Sequence, residues 1–375
     1  MLFNSIDFLI FFPIVTVMFF IMPRRLRILW LLISSYYFYM SWNPKYAILI
    51  AISTMITFIS GFLMEKAKEQ RVRKMVLTIS LLSNLAILGI FKYANFALYT
   101  LNYITNCFGL GSIKKRFDLL LPVGISFYTF QALSYTLDVY KGRIKAERNI
   151  WRYALFVSFF PQLVAGPIER SGNLLSQIHK ITEIKLWNFE RVRDGLLLMF
   201  WGLFQKLVIA DRASILVNQV YGNYKDYGFF ELVIASVLFA FQIYCDFGGY
   251  TNIARGAACV MGFSLVQNFR QPYFAVSIKD FWRRWHISLT SWFTDYLYIP
   301  LGGNQKGTLR KYVNILIVFG VSGLWHGANW HFVIWGLIHG GYQIVGNLKI
   351  QIQKKLGVKI KDPIEDSFSQ KLGKR

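Results

Sequence analysis

The chain has 375 residues, of which 55% are hydrophobic and 18% aromatic, while 16% are charged. A soluble domain of this length would carry more charge and shorter apolar runs, so water is excluded as the solvent for most of it. The net charge is +23, from 42 basic against 19 acidic residues. The basic residues stand between apolar segments, at Arg24, Arg25 and Arg27, at 65–74 and at 141–152, where the positive-inside bias puts them. That pattern reports topology in a lipid bilayer and argues against nucleic acid as a partner.

In chain order, apolar spans are expected at 8–22, 26–42 and 46–64. The first has no basic region before it and no small-residue cleavage site, so it reads as a retained span with its N-terminus outside rather than a removable signal. A basic loop at 65–74 belongs in the cytoplasm, and a further span follows at 75–91. Segment 94–111 is weaker. If it crossed, the basic stretch 141–152 would land outside, so it reads as interfacial or half-inserted.

The span at 119–140 contains Pro122, Gly124, Gln131 and Asp138. The run 151–168 holds Pro161, Gly166 and Pro167, which makes a plain helix a poor reading. Non-helical backbone at membrane depth is tolerated only inside protein or beside a watery cavity, so a re-entrant segment is expected. The charged stretch 169–194 is a loop or surface helix, and spans resume at 195–217 and 229–247. At 278–301, tryptophans alternate with Lys279, Arg283, Arg284 and His286, which suits an amphipathic interfacial helix. The apolar stretch 312–346 is long enough for a broken helix or a helical hairpin. No repeat or low-complexity linker divides the chain, so one domain is expected.

Ionisable side chains inside a membrane are costly, and each is a functional hypothesis by default. The sharpest is in GLWHGANWHF at 323–332. Fourteen helical steps separate Tyr312 from His326, about 21 Å at 1.5 Å per residue, short of the ~30 Å of hydrocarbon. His326 would therefore sit well inside, flanked by Gly323 and Gly327, which allow close approach or a break. An imidazole there suits general-base work on a hydroxyl, although membrane bundles also use histidine for interhelical hydrogen bonds.

His286 can equally be an interfacial histidine beside snorkelling arginines. His331 and His339 read as packing residues, and His179 as a solvated one. His326 and His331 are five apart and share no helix face, no HExxH is present, and the cysteines Cys107, Cys245 and Cys259 show no paired spacing. Neither a metal site nor a disulfide framework is implied. GxSxG and Walker patterns are missing, so serine hydrolysis and nucleotide use are not signalled. In QIYCDFGGYTNIAR at 242–255, Asp246 can line a cavity or pair structurally with Arg255.

Together LPVGISFYTFQALSYTLDVYKG (121–142), FFPQLVAGPIER (159–170), QIYCDFGGYTNIARG (242–256), DFWRRWHISLTSWFTDYLYIPLGGN (280–304) and GLWHGANWHFVIWGLIHG (323–340) resemble the membrane-bound O-acyltransferase family. The nearest branch is that of bacterial alginate O-acetyltransferases, related to the D-alanine transfer protein of teichoic acids. The resemblance implies an all-α polytopic membrane protein, a ring of transmembrane and re-entrant helices around a central tunnel, with interfacial amphipathic helices. It implies His326 and His286 as the catalytic histidines, and Asn329, Trp325, Asp295, Tyr296, Asp246 and Gln131 as tunnel candidates.

It also implies an inner-membrane, multi-pass enzyme that moves an acyl group, most simply acetyl, onto a polysaccharide hydroxyl or a relaying partner. Periplasmic or extracellular acetylation proteins would be partners. The co-substrate would be a donor such as acetyl-CoA or an acyl carrier, with no resident cofactor or metal. Thr294, Asn252 and Gly248 depart from the branch, which has arginine, aspartate and serine there. The chain ends at Arg375, where relatives carry further helices, so a domain lacking them is expected. The rival readings are a transporter or flippase, which would favour inverted repeats, and an inactive homologue serving as a membrane partner.

Overall fold

The computed structural model describes residues 1–111, 117–164, 166–185 and 188–357. Among them the regular structure is helical throughout, in sixteen α-helices. In chain order these are α1 (Ile6–Ile21), α2 (Arg27–Met40), α3 (Ala47–Lys66), α4 (Gln70–Leu88), α5 (Ala94–Cys107), α6 (Ile125–Tyr140), α7 (Ile150–Ser158), α8 (Phe160–Leu163), α9 (Ser176–His179), α10 (Phe189–Leu203), α11 (Asp211–Gly222), α12 (Phe229–Val260), α13 (Ile278–Arg284), α14 (Ile287–Phe293), α15 (Gly307–His326) and α16 (Trp330–Lys355). They pack into two compact units, Met1–Leu85 with Pro122–Gln267, and Ala86–Leu121 with Asn268–Arg375.

The first unit is built inside out relative to a soluble protein. Helix α3 buries Ser53, Thr54, Thr57 and Ser60 and turns Ile48, Ile52, Met55, Ile59 and Leu63 outward. That apolar stripe recurs every three or four residues and so occupies one helix face. The buried polar groups join the helices, as expected where hydrocarbon gives no hydrophobic drive between them. Ser53 donates to Asn84 Oδ1 at 2.6 Å, and Tyr153 donates to Thr57 Oγ1 at 2.7 Å. Among the described residues, three helical runs are long and apolar enough to cross a membrane, Pro44–Lys66, Gln70–Cys107 and Phe229–Val260.

Several elements depart from their expected bounds. The separate segments 75–91 and 94–111 form one continuous helical run, because a wide π-type turn at Gly89–Tyr93 joins α4 to α5 without a break. The span expected at 119–140 becomes helical only at Ile125. Gly124 before it holds φ +75°, and a Cβ there would meet the Leu163 carbonyl oxygen at 2.3 Å.

The run 151–168 breaks after Ser158, where Phe159 turns to ψ 112° and Pro161 follows. The carbonyl of Phe156 left over by that break accepts from the amides of Gln131 and Gln162, at 2.5 and 2.9 Å. Ala165 of this run lies outside the described residues. Helix α12 runs through Gly248 and Gly249 to Val260, thirteen residues past its expected end, because its glycines face α10 closely. A Cβ on Gly202 would meet Gly249 O at 2.5 Å, and one on Gly256 would meet Gly195 O at 2.5 Å.

In the second unit the stretch 278–301 is not one amphipathic helix. It is α13 and α14, broken at His286, followed by a π-type turn at Thr294–Tyr298. The stretch 312–346 is a hairpin of α15 and α16. Its arms touch at small residues, since a Cβ on Gly323 would lie 2.1 Å from Phe332 O and 3.3 Å from Gly336 Cα.

Candidate functional site

The second unit gathers histidines and tryptophans from three helices and one bend. His326 is the last residue of α15, half-buried, and Gly327 caps the helix in an extended conformation. The last carbonyls of a helix have no intrahelical partner. Here two are met from the α4–α5 turn, where Tyr93 Oη donates to Leu324 O at 3.0 Å and Lys92 Nζ donates to Trp325 O. A cation at a helix C-terminus also suits the helix dipole. This clamp fixes the turn that carries His326.

The imidazole of His326 lies between two indoles, edge-on to both. Ring centroids are 5.0 Å from Trp325 and 5.4 Å from Trp335, with planes at 87° and 84°. His286 stands 6.2 Å away, centroid to centroid, and 5.8 Å from Trp325. Trp335 continues to His339 at 4.8 Å, and His339 meets Trp282 at 5.2 Å. Three imidazoles and three indoles thus form one chain of contacts. His339, expected as a surface packing residue, belongs to it.

His286 is buried, and its backbone is in the left-handed region, at φ 44° and ψ 54°. A side-chain-bearing residue there is strained and persists only where neighbours over-determine it. The neighbours are clear. The Ile287 N–H donates to Asn268 O at 2.9 Å, and the Ser288 hydroxyl donates to Asn268 Oδ1 at 2.6 Å. Two residues before His286, Arg284 accepts at its carbonyl oxygen from the Arg270 N–H at 2.9 Å, and Arg284 Nε pairs with Asp280 Oδ1 at 2.9 Å, both side chains buried. Asn268 itself is fully buried.

The remaining candidates fall in different places. Trp325 is in the cluster. Asn329 is exposed, and its Oδ1 accepts from the His331 N–H at 3.0 Å, capping the start of α16. Asp295 and Tyr296 lie on the π-type turn after α14, with Tyr296 5.1 Å from Trp292.

Asp246 and Gln131 belong to the first unit. Asp246 pairs with Lys206 at 2.7 Å and not with Arg255; Lys206 also bonds Asp211 at 2.7 Å. Gln131 is buried and engaged by Phe156 O and Gln162. His179, expected to be solvated, is half exposed and contacts Glu147 at 2.5 Å. Among the described residues, no three His, Cys, Asp or Glu side chains could hold a metal ion together.

Sequence reading missed Lys92, Tyr93, Asn268, Trp282 and Trp335. A lysine inside an apolar run is a signal that could have found Lys92, and the four-residue spacing of Trp335 and His339 one for that pair. Nothing local marks Asn268.

The sequence profile of the MBOAT, membrane-bound O-acyltransferase, family matches residues 143–359. A probable alginate O-acetylase of Azotobacter vinelandii is 38% identical over 343 residues, which are 91% of this chain and 67% of that protein. A peptidoglycan O-acetyltransferase of Helicobacter pylori is 36% identical, over 83% of this chain and 63% of its own length. More distant is a teichoic acid D-alanyltransferase of Bacillus subtilis, 28% identical over 59% of this chain and 58% of that one.

Proposed function

We propose, from the premise that this chain belongs to the membrane-bound O-acyltransferase family, that it moves an acetyl group onto a hydroxyl of a cell-surface polysaccharide. It is a membrane acyltransferase; its acceptor, donor and working residues are our reading. His326 accepts the proton of the acceptor hydroxyl. The oxygen attacks the carbonyl carbon of a thioester or ester donor and forms the new C–O bond. Collapse of the tetrahedral adduct breaks the donor's C–S or C–O bond, and the proton on His326 passes to the leaving group. General-base help of this kind contributes roughly 10²–10⁴ in rate.

The single observation that carries this reading is the approach of the His286 and His326 rings to 6.2 Å on two separately braced elements. Positioning of catalytic groups supplies much of the acceleration in such sites, and two indole walls hold the ring of the half-buried His326. His286 orients or hydrogen-bonds the same hydroxyl. Trp325, Asn329, Asp295 and Tyr296 are kept as tunnel candidates in the second unit, and Asp246 and Gln131 as candidates in the first. The donor is a soluble or carrier-bound acyl group reaching the site from the cytoplasm. The protein is a multi-pass component of the inner membrane, and extracytoplasmic acetylation proteins complete the transfer to the polymer.

The experiment compares wild type with His326→Ala in cells, by the O-acetyl content of surface polymer, and in purified form, by donor consumption. The variant should lose roughly 10²–10⁴ of the transfer rate while keeping its helical content and elution volume. A folded variant that acetylates at the wild-type rate ends the catalytic assignment.

A further inference from the structure

The geometry points to a second site, in the first unit and independent of the His326 chemistry: a pocket for the phosphate of an anionic phospholipid. A cavity of about 410 Å³ lies where the end of α3, the start of α4 and the loop after α6 meet. Its charged lining is Arg73, Arg143 and Lys145 against Glu65. Arg143 is shared with Asp138, at 3.3 Å. Arg73 donates from Nη2 to Tyr140 O at 3.0 Å, yet its Nε is buried without a hydrogen-bond partner among the described residues. An arginine lining a cavity is the residue type best suited to grip a phosphate oxygen.

The apolar surroundings favour a lipid over a soluble phosphate. The exposed stripe of α3, from Ile48 to Leu63, ends just before Met64 and Glu65, which line the cavity. On the α4 side, Val72, Met75, Ile79 and Leu82 are also exposed. Acyl chains lying against these stripes would deliver a headgroup phosphate to Arg73. Lys66, Lys68, Arg71 and Lys74 are chain neighbours of the lining residues Glu65 and Arg73, and basic clusters at the ends of spanning helices attract anionic lipids. The cationic excess disfavours a choline or ethanolamine headgroup.

The test uses the full chain in detergent, given equal amounts of phosphatidylglycerol and phosphatidylcholine with the same acyl chains, and counts retained lipid by native mass spectrometry. One phosphatidylglycerol should be retained in preference to phosphatidylcholine. That preference should drop about fivefold in Lys145→Gln, since each near-surface cation contributes about that factor. It should drop further in Lys145→Glu and in Arg73→Gln. Lys145 is an exposed loop side chain, so its variants decide the matter even if Arg73→Gln does not fold. Equal retention of the two lipids, or a preference untouched by Lys145→Glu, overturns the proposal. Displacement of the lipid by millimolar inorganic phosphate overturns the lipid assignment in favour of a soluble phosphate-bearing ligand.

Discussion

Asn268 braces the left-handed backbone of His286 by gripping the two residues that follow it, through Ile287 N and Ser288 Oγ. Asn268→Ala removes the Oδ1 that accepts from the Ser288 hydroxyl at 2.6 Å, at a cost of roughly 0.5–1.5 kcal/mol for one lost hydrogen bond. We expect a lower thermal midpoint and slower acyl transfer with both histidines still in place. Wild-type transfer by that variant would separate the bend from the chemistry. The sequence named His286 and His326 but could not show that their rings meet. Helical periodicity relates residues within a few turns, and this pair is joined by a break in one segment and a helix end in another. Lys92 and Tyr93 illustrate the same gap. Their partners are backbone carbonyls at the far end of α15, and no pattern in side-chain polarity encodes a carbonyl.

The helices were more legible than the breaks between them. Apolar runs located α1, α2, α3 and the α15–α16 hairpin, because exclusion from water acts on the whole run. Ends fixed by tertiary contact were missed: α6 starts only after Gly124, which lies against Leu163, and α12 outlasts its apolar run because α10 lies against it. Glycines seven apart on each helix, Gly195 and Gly202 facing Gly256 and Gly249, bring the two backbones together, and small residues at such a seam are the usual device within a bilayer. Gly202→Leu forces side-chain atoms into the Gly249 carbonyl and should destabilise the protein by roughly 1–3 kcal/mol or more, as overpacking does. Gly222→Ala, where a Cβ meets nothing within 4 Å, is the control. A midpoint lowered in the first and unmoved in the second is the expected result, read by detergent-phase thermal melting.

For the molecule as a whole, stability carries a pH signature from one carboxyl. Glu169 is fully buried, and burial pushes its pKa from 4.5 up to about 7. The Val266 N–H, the Asn173 amide and the charge of Arg255 pull the other way. A carboxyl raised on folding binds its proton more tightly in the native state, so its contribution is greatest at low pH and is lost as pH rises from about 4.5 to about 7. Wild type should therefore lose stability across that window relative to Glu169→Gln, in melts compared at pH 4.5, 6 and 7.5. Parallel curves would reject the shift.

The membrane character was the most legible property of all, since it follows from composition. The inverted burial of α3 gives it a physical form, with hydroxyls inward and isoleucines outward.

The 32 residues of α12 make a rod about 48 Å long at 1.5 Å per residue. Lodging all of it in a slab ~30 Å thick would demand a lean of about 50°, steeper than the roughly 40° limit seen for spanning helices. One end must therefore emerge. The half bearing Asp246, Asn252 and Arg255 is the one packed inside the protein, with Lys206 and Gln205 as company for Asp246 and Asn252, so the rod is an anchor at its apolar end and a core post at the other.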